Sequence, residues 1–282
     1  MQMNTWPIGL STGCFYRRRI FDILDEVRAS GFREIEVCSF PAHLDYHNQE
    51  DVKRAGERIR TLGLVPYSFH APFANHIDIT SLDSGVRENA VRELITACRA
   101  AALMEVRHVV LHPGPEREGR PPSDEFLAHM DHAAASLDQV AQCCRELGIQ
   151  LLLENMLPHL LFGHTNDMMY LLGGIQGFNV GVCLDTGHAN LAGEIPTVIH
   201  KLSGHLKMLH VNDNRRNFDS HLPPGEGVID WPWMLAELQR NNFEGGLILE
   251  LAGHEHEPVS ETLARAVRAR EYLERGGMHP HG

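Results

Sequence analysis

The sequence predicts a single closed barrel of eight parallel strands alternating with helices, the (β/α)8 or TIM barrel. Three observations lead there. The 282 residues, 43% hydrophobic and 22% charged, suffice for one large core and suit a barrel class that typically runs about 250 residues. Eight short apolar runs alternate with stretches of helical period, and no low-complexity linker separates them. No GxGxxG or GxxxxGK[ST] follows any run, so the usual signature of the alternative, an open doubly wound sheet, is absent. One domain over residues 1–282 is expected.

The strand-like runs, in order, are IGLSTGCF from Ile8, EIEVCSF from Glu34, PYSFHAPF from Pro66, HVVLH from His108, QLLLEN from Gln150, VGVCLD from Val180, LKMLHV from Leu206 and GLILEL from Gly246. Most are continuously apolar, as strands covered by helices outside and packed within require. Helical period follows in Ile23 to Gly31, in Val52 to Gly63 and in Val91 to Ala102. After the fourth run, Ser123 is placed to cap a helix whose first turn holds Asp124 and Glu125. Phe126, Met130, Ala133, Leu137, Val140, Cys144 and Leu147 then recur every three or four residues, and Gly148 ends the pattern. Asp230 before Trp231 and Pro232 starts another helix.

Composition narrows the function. A formal net charge of −12 opposes approach to nucleic-acid phosphate, whose non-specific affinity comes from Lys and Arg. The six cysteines form no CxxC pair and are read as reduced core residues of a cytoplasmic protein. The N-terminal MQMNTWPIGL lacks a basic segment and a long apolar run, and no stretch approaches the roughly 18 apolar residues of a membrane span.

The strand ends carry the chemistry. From the third run on, the last inward-capable residues are His70, His112, Glu154, Asp185, His210 and Glu250. Barrel active sites lie at the C-terminal mouth, where one side chain per strand converges on a common axis. Imidazole nitrogen and carboxylate oxygen are the donors that divalent cations such as Mn²⁺ and Zn²⁺ accept. Three carboxylates converging without a cation would repel one another and be desolvated, so a bound divalent metal is the economical reading. Asp185 continues as DTGH, which places His188 in the next loop, able to join the site or bind substrate. Asp219 and His221 flank Ser220 on one side of an extended segment, and Pro223 to Gly227 reads as a rigid turn behind it. His76, Arg215, Arg216 and Glu226 read equally well as solvated loop residues.

The series HAPF, VVLHPG, LLLEN, VCLDTGHA, LHVNDN, DSHLPPGEGVIDW and LILEL resembles the xylose-isomerase-like barrel superfamily. That superfamily holds sugar isomerases, ketose 3-epimerases and the endonuclease IV class of DNA-repair enzymes. In the epimerase branch, the resemblance implies one divalent ion, Mn²⁺ or a similar metal, on Glu154, Asp185, His210 and Glu250. The two glutamates would exchange a substrate proton, and His188 and Arg216 would contact a substrate hydroxyl or phosphate. The endonuclease branch implies up to three zinc ions: one on His70, His112 and Glu154, a second shared by Glu154 with Asp185, His210 and Glu250, and a third on His188, Asp219 and His221. The loop PAHLDYHNQED and Phe73, in place of an expected tyrosine, depart from the nuclease pattern. The expectation is a metal-dependent isomerase or epimerase of a sugar or sugar phosphate, with an endonuclease IV-like phosphodiesterase as the alternative. A homo-oligomer is compatible with either.

Overall fold

The computed structural model describes residues 6–116, 119–254 and 256–278; the first five residues, read above as part of the N-terminal stretch, lie outside them. Eight strands, β1 (Ile8–Ser11), β2 (Glu34–Cys38), β3 (Val65–His70), β4 (His108–Leu111), β5 (Gln150–Glu154), β6 (Val180–Asp185), β7 (Leu206–Val211) and β8 (Gly246–Leu249), pair in sequence order into a closed barrel. Every ladder is parallel, and the ring closes through Ile8 opposite Leu247. The expected fold class is correct.

Alternation along the strands explains the site. Successive side chains in a strand point to opposite faces, so a residue and the one two positions on share a face. Val110, Leu152, Cys183, Met208 and Ile248 fill the barrel interior with Tyr67. Two positions further, on the same face, stand His112, Glu154, Asp185, His210 and Glu250. A dry apolar plug therefore supports a polar ring at the mouth. β3 obeys the same rule through a register shift: Ile35 pairs with Pro66 but Glu36 pairs with Ser68, leaving Tyr67 as the extra residue. A similar shift in the β6–β7 ladder leaves Lys207 extra.

The helices that wrap the barrel are α1 (Leu24–Ala29), α2 (Gln49–Thr61), α3 (Ser84–Leu103), α4 (Phe126–Glu146), α5 (Thr165–Gly174), α6 (Thr186–Ala192), α7 (Ile195–Leu202), α8 (Trp231–Arg240) and α9 (Val259–Glu274). Asp230 caps α8 by accepting from Trp233 N, as expected. Ser123 does not cap α4: the helix begins at Phe126 after Glu125, with no side-chain cap. α3 begins well before Val91 because the Asp83 carboxylate accepts from Gly85 N and Val86 N, a start hidden by the polar first turns. The first run also ends early. Ser11 Oγ accepts from Gly13 N, and Thr12–Phe15 turns into a 3₁₀ helix. All six cysteines are free thiols. Among the described residues no helix is long and apolar enough to cross a membrane.

Candidate metal centre

His70, Glu154 and Asp185 end their strands, His210 is the penultimate residue of β7, and His112 and Glu250 follow β4 and β8 directly. Their donor atoms gather in overlapping groups. His70, His112 and Glu154 form one, Glu154, Asp185, His210 and Glu250 another, and His188, Asp219 and His221 a third, each with its donor atoms within 4.8 Å of one another. All nine residues singled out as ligands in the sequence are thus brought together.

Four of the five rings are aimed by a bond on the far nitrogen. His70 Nδ1 donates to Ala71 O at 2.9 Å, His188 Nδ1 to Asn155 O at 2.8 Å and His221 Nδ1 to Glu250 O at 3.0 Å. A carbonyl can only accept, so those protons are fixed and the Nε2 atoms are the ones turned to the site, lone-pair donors once their own protons leave. In His210 the roles are exchanged: Nε2 donates to Glu36 Oε2 at 3.0 Å, and Nδ1 faces the site. Asp185 is held by three groups. Its Oδ1 accepts from His188 N at 2.6 Å, its Oδ2 from Asn212 Nδ2 at 2.7 Å, and its backbone N–H is bound by Asn155 Oδ1 at 2.8 Å.

The donor set fits divalent cations. Metal–donor bonds of about 2.0–2.1 Å place the donors of a tetrahedral shell about 3.3 Å apart. His70 Nε2 and His112 Nε2 each lie 3.3 Å from Glu154 Oε2. His210 Nδ1 lies 3.1 Å from Glu154 Oε1 and 3.4 Å from Glu250 Oε2, and His188 Nε2 lies 3.4 Å from Asp219 Oδ2. Glu154 Oε2, His210 Nδ1, Glu250 Oε2 and Asp219 Oδ1 are buried with no hydrogen-bond partner. Buried polar atoms are rarely left so, and here the orphans face one another.

Electrostatics says the same. Burial raises Asp185, and the like charges of Glu250 and Glu154 add to it, leaving its carboxyl at about 6 despite His188. Burial pulls His112 down, but Glu154 and Glu116 more than offset it and hold the imidazole at about 10. His188 is likewise held at about 10, against its burial, by Asp185 and Asp219. Glu154 stays well below its ordinary range despite burial, because His210 and His112 face it. A cluster of buried carboxylates demands positive charge, which protons on the imidazoles or bound cations can supply.

Beside this cluster lies a cavity of about 320 Å³. Tyr16, Cys38, Phe40 and Phe73 line one part of it, and His70, Asp219, His221 and Glu250 another. Glu154, Asp185, His188 and His210 are buried and do not line it. A cavity of about 360 Å³ at the opposite end of the barrel, lined by Trp6, Pro232, Leu235 and Leu273, contains none of the cluster.

Arg216, expected at the substrate, is exposed and absent from the cavity lining. Its Nε donates to Asn190 Oδ1 at 3.1 Å. His76, Arg215 and Glu226 are also exposed. The Pro223 to Gly227 turn is tied down by Asp213, whose carboxylate accepts from Gly225 N, Val228 N, Ile229 N and Trp231 Nε1. Sequence reading missed that residue, as it missed Glu36, Asn155 and Glu116, which lies 2.8 Å from His112 Nδ1. For Glu36 a signal existed: an acid inside an otherwise apolar parallel strand is almost never buried without partners.

The xylose isomerase-like TIM barrel family model matches residues 24–275, and the chain belongs to that family. Among its relatives, the uncharacterized protein MJ1311 of Methanocaldococcus jannaschii is 26% identical over 94% of this chain and 87% of its own length. A 2-oxo-tetronate isomerase of Pectobacterium atrosepticum is 25% identical over 89% of this chain and 93% of its own. A probable endonuclease 4 of Mycobacterium leprae is 28% identical over 62% and 69%, respectively. The fold is also that of a D-tagatose 3-epimerase-like protein, with a TM-score of 0.83 at 23% identity and 96% of each chain covered.

Proposed function

We propose that this protein is a divalent-metal-dependent isomerase or epimerase acting on a small sugar, sugar phosphate or sugar-derived carbonyl compound. One observation carries the reading. Two glutamates, Glu154 and Glu250, belong to a single carboxylate–imidazole cluster, and Glu250 also lines a cavity sized for a small molecule. Glu154, Asp185, His210 and Glu250 would hold the ion, with Mn²⁺ and Zn²⁺ both suited to the donors. When bound, the ion supplies Lewis-acid polarisation of neighbouring carbonyl and hydroxyl oxygens.

The protein's own residues do the rest. One glutamate takes the proton α to the carbonyl and its C–H electron pair becomes the enediolate double bond. The other returns a proton, to the opposite face for epimerisation or to the neighbouring carbon for isomerisation. Tyr16, Phe40 and Phe73 give the cavity an apolar wall on the side facing the cluster's carboxylates and imidazoles. The relationship to a 2-oxo-tetronate isomerase over nearly its full length supports this class.

A metallophosphoesterase is the second reading, favoured by the third donor group, His188, Asp219 and His221. The net charge of −12 argues against a duplex substrate. Deuterium wash-in from heavy water across a ketose and 2-oxo-acid panel tests the first reading. Exchange at a carbon next to the carbonyl is the expected result. No exchange, together with three ions per chain and cleavage of an abasic-site duplex, would replace it with the second.

A further inference from the structure

Glu36 has no place in the four-residue ligand set, yet it is fully buried inside the barrel. Three side chains from three other strands donate to its carboxylate. Ser11 Oγ on β1 reaches Oε1 at 2.9 Å, while Ser68 Oγ on β3 reaches Oε2 at 2.8 Å. His210 Nε2 on β7 reaches the same Oε2 at 3.0 Å. A carboxylate stripped of water and given only donors is a fixed acceptor, and a fixed acceptor dictates which nitrogen of the facing imidazole bears the proton.

We propose that Glu36 is a positioning residue that locks His210 in the Nε2–H tautomer and so presents Nδ1 as the lone-pair donor to the metal. The proposal rests on the metal-site reading above. His210 Nδ1 is buried without a hydrogen-bond partner, between Glu154 Oε1 at 3.1 Å and Glu250 Oε2 at 3.4 Å. Were the proton on Nδ1, it would sit where the cation belongs, and the Nε2 lone pair would face the Glu36 carboxylate. His70, His188 and His221 are fixed by backbone carbonyls. Of the histidines in the three donor groups with such an orienting bond, His210 is therefore the one whose tautomer a substitution can alter directly.

The test uses the full chain, freed of metal, labelled with ¹⁵N at histidine and brought to a pH at which the His210 ring carries a single proton, with that ring identified by its loss in His210→Asn. Wild-type protein should show the Nε2–H tautomer, and Glu36→Leu should lose that preference. Zinc titration against a chromophoric chelator should then show binding about tenfold weaker in Glu36→Gln, which keeps one acceptor oxygen. In Glu36→Leu the loss should approach about a hundredfold. Ser68→Ala, which removes a hydroxyl donor but leaves the His210 bond, should bind zinc as the wild type does. An unchanged tautomer in Glu36→Leu, or a change in zinc affinity below threefold in Glu36→Gln, overturns the proposal. If the wild type itself binds no zinc, the metal-site reading fails, and the tautomer measurement still decides what Glu36 does.

Discussion

Asn155 and Asp185 exchange two hydrogen bonds across the ends of β5 and β6: Asn155 Nδ2 donates to Asp185 O at 3.1 Å, and Asp185 N donates to Asn155 Oδ1 at 2.8 Å. The carbonyl of the same Asn155 receives His188 Nδ1. One amide thus couples two strand ends and stands next to the His188 ring, which α6 delivers rather than the loop expected from the sequence. Asn155→Ala should orphan the Asp185 N–H, at about 1–3 kcal/mol for a buried group left unsatisfied, while the Asp185 carbonyl keeps its bond as N-cap of α6. Calorimetry should show a lower Tm, and zinc content per chain should fall. An unchanged Tm would mean that water replaces the amide.

Glu154→Gln and Glu250→Gln should each lower proton exchange by about 10²–10⁴-fold, the usual contribution of a positioned acid or base. Both glutamines keep an oxygen for the ion, so metal should be partly retained. Full wash-in activity in both variants would remove the acid–base roles.

The protons at the site set a pH dependence. In metal-free protein His112 and His188 titrate at about 10, above the ordinary imidazole value near ~6.5. Groups with raised folded pKa values contribute stability fully below the unfolded value and lose it as pH rises through the folded one. Asp185, raised to about 6, acts in the same direction at lower pH. The Tm of the metal-free protein should therefore decline between about pH 6.5 and 10, while zinc affinity rises over that window as protons leave the donors. A metal-free Tm that climbs across it would contradict the charge arrangement.

Zinc or manganese at a hundred times its dissociation constant should stabilise the fold by about 2.7 kcal/mol, a rise in Tm of roughly 4–5 °C for a domain of this size. Chelation should reverse it. Addition of metal without any shift would show that the cluster does not hold the ion in the folded state.

Asp213→Ala should release the loop that carries Asp219 and His221. Ile229 N and Trp231 Nε1 lose a buried acceptor, at a cost of about 2–4 kcal/mol. Urea unfolding should show a lower midpoint with an unchanged slope.

The ring of candidate ligands was legible because five of its six members obey one rule: each stands two positions after a residue of the apolar plug, as Leu152 precedes Glu154 and Cys183 precedes Asp185, while His70 reaches the ring past the extra Tyr67. Glu36 escaped that rule because it sits within β2 rather than at its end. Its role depends on His210, 174 residues away in the chain, and spacing says nothing of such a pairing. Arg216 was placed by resemblance alone, and in the folded loop its Nε donates to Asn190 Oδ1. The early start of α3 was hidden because a polar first turn carries no apolar period, although Asp83 marks it in hindsight.

The extra residue at Tyr67 has a consequence for any attempt to recombine this barrel. Counting back from His70, the alternation that turns Ser68 and His70 inward would, in an unbroken ladder, turn Tyr67 out. The slip against β2 instead allows Tyr67 to join the interior plug while Ser68 still reaches Glu36. The strand carries a phase correction, and it is the plug below the mouth that depends on it. Deleting Tyr67 would join Ile35–Pro66 and Glu36–Ser68 into an unbroken ladder, leaving Ser68 and His70 turned inward but taking the aromatic ring out of the interior. A graft of this barrel's interior must transfer the irregularity along with the tyrosine.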